Sequence, residues 1–127
     1  MYGNAAAKAY QRVDLESAPR TQIVERLFER FARDAADARA AILAKDLHAK
    51  AKALSHASAI ALQLKLALDH KTAPKLCARL EALYQFVIDR LSLANYKLEV
   101  KPIDQATAVM AKLGGAFRGA FAKADGQ

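Results

Sequence analysis

Three histidines, His48, His56 and His70, and a single cysteine, Cys77, are the side chains of this 127-residue sequence best suited to metal binding or nucleophilic catalysis. A dinuclear site inside a helical bundle needs Glu-x-x-His pairs joined by further inward carboxylates, and the sequence contains no Glu-x-x-His. His48 and His56 stand about two helical turns apart without that acidic pattern. Cys77 has no histidine near it in sequence, and a free cysteine on a helix is most often a small buried apolar residue. Ser92 lacks the Gly-x-Ser-x-Gly setting of a nucleophile elbow. Gly114-Gly115 does not continue into the Gly-Lys-Ser or Gly-Lys-Thr of a phosphate loop. Asp89 and Arg90 read as solvated charges of a helix. The sequence therefore argues against an enzyme and implies no metal and no cofactor.

Binding is the chemistry left. The net charge of +7 could attract nucleic acid or an anionic membrane surface. Apart from a local group of Lys45, Lys50 and Lys52, the basic residues are spread over the chain, with neither clustered arginines nor the tight turn of a recognition helix, and no nucleic-acid partner is expected. No stretch reaches the roughly 18 apolar residues of a membrane span, so stable membrane insertion is not expected. Residues Met1–Ala7 show no charged segment followed by an apolar run, which argues against a signal peptide. One cysteine cannot form an internal disulfide, which suits a reducing compartment, and the expected location is cytoplasmic.

The elements that would carry a binding surface are helices. A composition 54% hydrophobic and 26% charged is that of a folded domain rather than a disordered chain. Alanine, leucine, lysine and arginine favour helix. All five glycines, at positions 3, 114, 115, 119 and 126, lie near the two ends. Strand-like alternation is nearly absent. The reading is all-α: an antiparallel up-and-down four-helix bundle at 19–123, preceded by a short flexible N-terminal arm, 1–18, and followed by a disordered tail, 124–127. Within the arm, Ala5–Gln11 is long enough only for a helical turn or two.

The first long helix starts near Pro19, with Ser17 or Ala18 as cap. Its stripe is Ile23, Val24, Leu27, Phe28, Phe31, Ala35, Ala38 and Ile42. Glu29 with Arg33, Arg30 with Asp34, and Arg33 with Asp37 are spaced to pair along its outer face, each contributing about 0.2–0.5 kcal/mol. The second helix runs from an Asp46 cap to about Asp69, with Leu47, Ala51, Leu54, Ala57, Ala61, Leu64 and Leu68 as one stripe. The third runs from Thr72-Ala73-Pro74 to about Asn95, with Leu76, Leu80, Leu83, Val87 and Leu91 as its stripe. Pro102 opens the fourth, with Ile103, Ala106, Met110, Leu113, Phe117 and Phe121 along one side. Gly114 and Gly115 should weaken its later turns and fray its end, at a cost of about 1 kcal/mol each relative to alanine. Short connections favour antiparallel neighbours.

The second and third helices carry more apolar surface than one face can bury. Ile60, Leu62 and Leu66 widen the second stripe, and Tyr84, Phe86, Ile88 and Leu93 surround the third. Such helices either pack closely against more than one neighbour through alanine-rich contacts or form a groove for amphipathic helices of another protein.

Four blocks of sequence point to a family. The N-terminal Met1-Tyr2 through Lys8-Ala9-Tyr10, with Val13 and Glu16-Ser17-Ala18, resembles the start of FliS proteins. Pro19 to Phe28 (PRTQIVERLF) is similar to their Ser-Pro-x-x-Leu-Ile-x-x-Leu-Tyr/Phe segment. Leu83-Tyr84-Gln85-Phe86 and Arg90-Leu91-Ser92-Leu93-Ala94-Asn95 resemble their Leu-Tyr-x-Tyr and Arg-Leu-x-x-Ala-Asn patterns. Order and spacing match over nearly the whole chain. Departures are Ala7 in place of an Ile-like residue, Lys97-Leu98 where Asn-Asp is common, Phe117 where tryptophan is common, and Lys71-Thr72-Ala73-Pro74 instead of a glycine-rich turn.

The resemblance implies a cytosolic export chaperone that holds the disordered C-terminal segment of flagellin, prevents premature polymerisation and aids delivery to the flagellar type III export gate. It implies client contacts at Ile23, Leu27, Tyr84 and Leu91, positions that also suit a bundle core. It assigns Tyr10 to docking on the export gate protein FlhA. The rival readings are a helical adaptor for another secretion-system peptide and a basic nucleic-acid or membrane-surface binder.

Overall fold

A computed structural model gives the structure of the protein and describes residues 9–10 and 20–125. The residues proposed to cap the first helix, Ser17 and Ala18, with Pro19, lie outside this range, as do most of the arm and the side chain of Phe121. Four helices follow one another: α1 (Arg20–Leu43), α2 (Leu47–Leu66), α3 (Pro74–Lys97) and α4 (Lys101–Asp125). No strand occurs among the described residues. Each helix packs on its neighbour in sequence, and α4 closes the ring against α1. The result is the up-and-down four-helix bundle that the spacing predicts.

The turns show how short links are made without glycine. Lys45 N–H donates to Ile42 O at 3.1 Å and Asp46 N–H to Ala41 O at 2.9 Å, the double closure of a Schellman motif. Lys45 occupies the left-handed position, at φ 60°. Asp46 then caps α2 at once, its carboxylate accepting from Ala49 N–H at 3.1 Å. At the end of α3 the left-handed residue is Leu98, at φ 58° and ψ 40°, its N–H bonded to Ala94 O. A leucine there costs about 1–2 kcal/mol of backbone strain that glycine would avoid.

Helix α2 stops at Leu66, three residues short of the expected Asp69. The reason lies in what Asp69 holds together. Its N–H donates to Ala9 O at 2.8 Å, its carboxylate accepts from Thr72 Oγ1 at 2.7 Å, and its carbonyl accepts from Cys77 Sγ at 3.4 Å. An Asp69 in helix would give up these bonds to the arm and the turn. Helix α3 begins at Pro74, in the first turn where proline is tolerated, and runs two residues past Asn95.

Helix α4 runs through Gly114 and Gly115 to Asp125. Gly114 has a packing use: a Cβ there would lie 3.2 Å from the Phe28 ring. None of the three proposed charge pairs along α1 closes to contact. That helix instead pairs outward, Arg39 Nε to Asp104 Oδ1 of α4 at 2.9 Å. Exposed i,i+4 pairs contribute too little to fix two long side chains, so their failure to form costs the fold little.

Candidate functional site

Neither the histidines nor the cysteine form a reactive constellation. His48 and His56 are exposed, and His70 Nε2 meets Glu81 Oε2 at 3.3 Å on the surface. No group of three metal-binding side chains is gathered among the described residues. Cys77 is fully buried with its thiol on the Asp69 carbonyl, and burial pushes its pKa up, away from thiolate reactivity.

The most specific arrangement is aromatic and lies where the arm meets the bundle. Tyr84 projects from the middle of α3 and is wholly buried. Tyr10, from outside the four helices, is also buried, and the two hydroxyls share a hydrogen bond. The Phe117 ring of α4 stands edge-on to Tyr10, centroids 5.3 Å apart at 70°. Phe28 of α1 continues the stack, 5.8 Å from Phe117. Ala9, fully buried, is tied by its carbonyl to Asp69 N–H. A dipeptide of the arm is therefore seated against α3, α4 and the turn between α2 and α3 by a ring contact, a hydroxyl pair and a backbone bond. Burial raises both phenol pKa values well above the ordinary range, reinforced for Tyr10 by the Tyr84 hydroxyl, so both stay protonated at neutral pH.

Beside this stack a groove of about 260 Å³ runs between α1 and α4. Phe28, Phe31, Met110 and Gly114 form its apolar floor, with Glu29 and Arg118 on the rim. Further apolar side chains face solvent on α2 and on α3. Leu62 is 44% exposed, Leu66 66%, Leu83 38% and Phe86 40%. Arg90 lies over the Phe86 ring at 5.4 Å and reaches Gln105 of α4 with its guanidinium, while Lys65 Nζ bonds Gln85 Oε1 at 2.7 Å across α2 and α3.

The residues proposed for binding divide in this structure. Tyr10 and Tyr84 are brought together. Leu91, two turns from Tyr84 on the same face of α3, is fully buried in the core. Ile23 and Leu27 are half-buried on α1, Leu27 against the core. Sequence reasoning singled out inward positions, whereas Leu62, Leu66, Leu83 and Phe86 are among the large apolar side chains open to solvent. For Leu62, Leu66 and Phe86 the signal was the excess apolar width of both helices, whereas Leu83 belongs by spacing to the inward stripe of α3 and is exposed all the same.

Comparison with known proteins shows the family. The chain matches the family model of the flagellar protein FliS over residues 2–124. It belongs to the FliS family. It is 30% identical to the flagellar secretion chaperone FliS of Salmonella typhimurium (strain LT2), the alignment covering 100% of this chain and 98% of that one. Identity to FliS of Escherichia coli K12 is 28%, covering 93% and 90% of the two chains. The flagellar secretion chaperone FliSB of Pseudomonas aeruginosa PAO1 is 27% identical over 94% of this chain and 98% of its own. This FliS family member has no helix, among the described residues, long and apolar enough to cross a membrane.

Proposed function

We propose that this protein is a non-enzymatic, cytoplasmic export chaperone that binds the C-terminal segment of flagellin, keeps it from polymerising and helps bring it to the flagellar export gate. The observation that carries the reading is the seating of Ala9-Tyr10 against α3, α4 and the α2–α3 turn: a segment from outside the bundle is held where apolar side chains can be received. A flagellin segment with similar residues can use the same kind of contact and extend over the exposed Leu62, Leu66, Leu83 and Phe86. It gains burial at roughly 25 cal/mol per Å² of apolar surface and loses chain entropy on ordering. That offset is what lets a chaperone hold its client and still release it.

On this reading, Tyr10 leaves its seat to engage the gate protein FlhA. The uncovered Tyr84, with Ile23, Leu27 and Leu91, is then available to the client. A buried Tyr10 cannot touch another protein, so gate docking and arm docking exclude each other.

The test is calorimetric titration with the C-terminal segment of the flagellin encoded in the same genome, at moderate salt. Tight 1:1 binding with a negative heat-capacity change supports an apolar client. No binding by a demonstrably folded sample removes flagellin and leaves the adaptor for another secretion-system peptide.

A further inference from the structure

The end of the bundle formed by the α1–α2 and α3–α4 turns exposes leucine where folding gains nothing from it. Leu43 is 62% exposed, Leu47 58% and Leu98 48%. Tyr96, in the last turn of α3, is 85% exposed. Ile42, Lys45, Leu47 and Leu98 surround a hollow of about 320 Å³ between the two turns. Leu98 is the anomaly among them. It stands in the left-handed conformation, where glycine is favoured, and its side chain is half in water. Neither backbone preference nor burial accounts for it.

The charges around these leucines are predominantly positive. Lys45, Lys97 and Lys101 are exposed and make no ion pair or hydrogen bond through their side chains. Of the acidic groups at this end, Asp46 is engaged as the cap of α2 and Asp104 with Arg39, which leaves Glu99. Lys50 is also here, its ammonium on Asn95 O at 3.3 Å.

We propose that this tip docks peripherally on an anionic lipid bilayer, the leucines and Tyr96 entering the interfacial layer and the lysines meeting headgroup phosphates. The geometry favours a bilayer over a peptide. A helical partner is read by a linear stripe of anchors along one groove, whereas these side chains stand on two separate turns at one end of the bundle. A second copy of the chain is disfavoured by size, because a few side chains fall far short of the about 800 Å² per partner of a stable interface. Exposed apolar residues with an aromatic at the rim and basic residues beside them are what an anionic interface attracts. The site is separate from the Tyr10–Tyr84 region and does not depend on the flagellin reading.

The test is co-sedimentation of the full chain with phosphatidylglycerol–phosphatidylcholine vesicles and with pure phosphatidylcholine vesicles, at low and high salt. Because the sequence has no tryptophan, Tyr96→Trp supplies a single reporter whose emission should shift to the blue on binding. Binding is expected to the anionic vesicles only and to weaken with salt. Lys45→Glu and Lys101→Glu should each lower partitioning about fivefold or more. Leu98→Gly relieves the left-handed strain, so it should fold at least as stably as wild type yet bind several-fold less. Absent binding to anionic vesicles, equal binding to neutral ones, or binding unchanged by Leu98→Gly and both lysine variants would each overturn the proposal. A concentration-dependent dimer lost in Leu98→Gly would assign the tip to a second copy instead.

Discussion

The hydroxyls of Tyr10 and Tyr84 share a hydrogen bond inside the protein although the residues are 74 positions apart. Neither phenol is in contact with solvent, so each satisfies a group the other would otherwise leave buried and unpaired. An unsatisfied buried hydroxyl costs about 1–3 kcal/mol. Tyr10→Phe and Tyr84→Phe should each lower stability by about 1–2 kcal/mol in urea denaturation. The double variant should lose clearly less than the two losses combined, because it leaves no orphaned hydroxyl. Strictly additive losses in this cycle would show that the two groups do not act together.

The same pair sets a direction for alkaline pH. Both phenols titrate higher in the folded chain than the ordinary value of about 10, chiefly through burial. Their stabilising contribution is complete below the unfolded pKa. Above about pH 10 the unfolded chain releases these protons and the folded chain keeps them, so stability falls as pH rises. The urea midpoint should drop more steeply above that pH in wild type than in Tyr10→Phe, which has one such proton fewer. Parallel profiles for the two proteins would contradict this.

The aromatic seat could not have been found by reading along the chain. Heptad-like stripes are local, so Val24, Phe31, Leu64, Val87 and Ile103 could all be assigned to the core from three- and four-residue steps. The helix order and short turns followed from the same pattern. The meeting of Tyr10 with Tyr84 and Phe117 is a long-range event that no periodicity encodes. The early stop of α2 is likewise set by Ala9, through the bond to Asp69 N–H. Excess apolar width on α2 and α3 was legible, but which of its residues face solvent depends on how far the helices rotate about their axes. Leu47 shows the limit: its spacing fits the stripe, yet it stands 58% exposed at the first position of α2.

If the arm and the client compete for one surface, emptying the seat should help the client. Apparent affinity is reduced by the fraction of molecules in the competent state. Tyr10→Ala should therefore bind the flagellin segment several-fold more tightly in calorimetry, while Leu62→Ser with Leu66→Ser should bind more weakly at nearly unchanged stability. Both leucines are exposed, so their loss costs the fold little. Leu91→Ala, by contrast, should lower stability by about 2–5 kcal/mol, as a cavity in a packed core does. Client affinity unaffected by both Tyr10→Ala and the Leu62/Leu66 variant would separate client binding from these surfaces.

Gly114 and Gly115 are neighbours in α4 with opposite expectations. Both carry the glycine penalty of a helix interior, about 1 kcal/mol relative to alanine. A Cβ at Gly115 meets nothing within 4 Å, so Gly115→Ala should raise stability by about 0.5–1 kcal/mol. A Cβ at Gly114 lies 3.2 Å from Cγ and Cδ1 of Phe28, whose ring also packs on Phe117. The ring has to shift by a few tenths of an ångström, against the stack that seats Tyr10. Gly114→Ala should therefore gain less than Gly115→Ala or lose stability outright, and Gly114→Val should be clearly destabilised. Urea midpoints for the three variants decide it: equal gains from the two alanine substitutions would mean that the close approach of α1 and α4 does not require glycine.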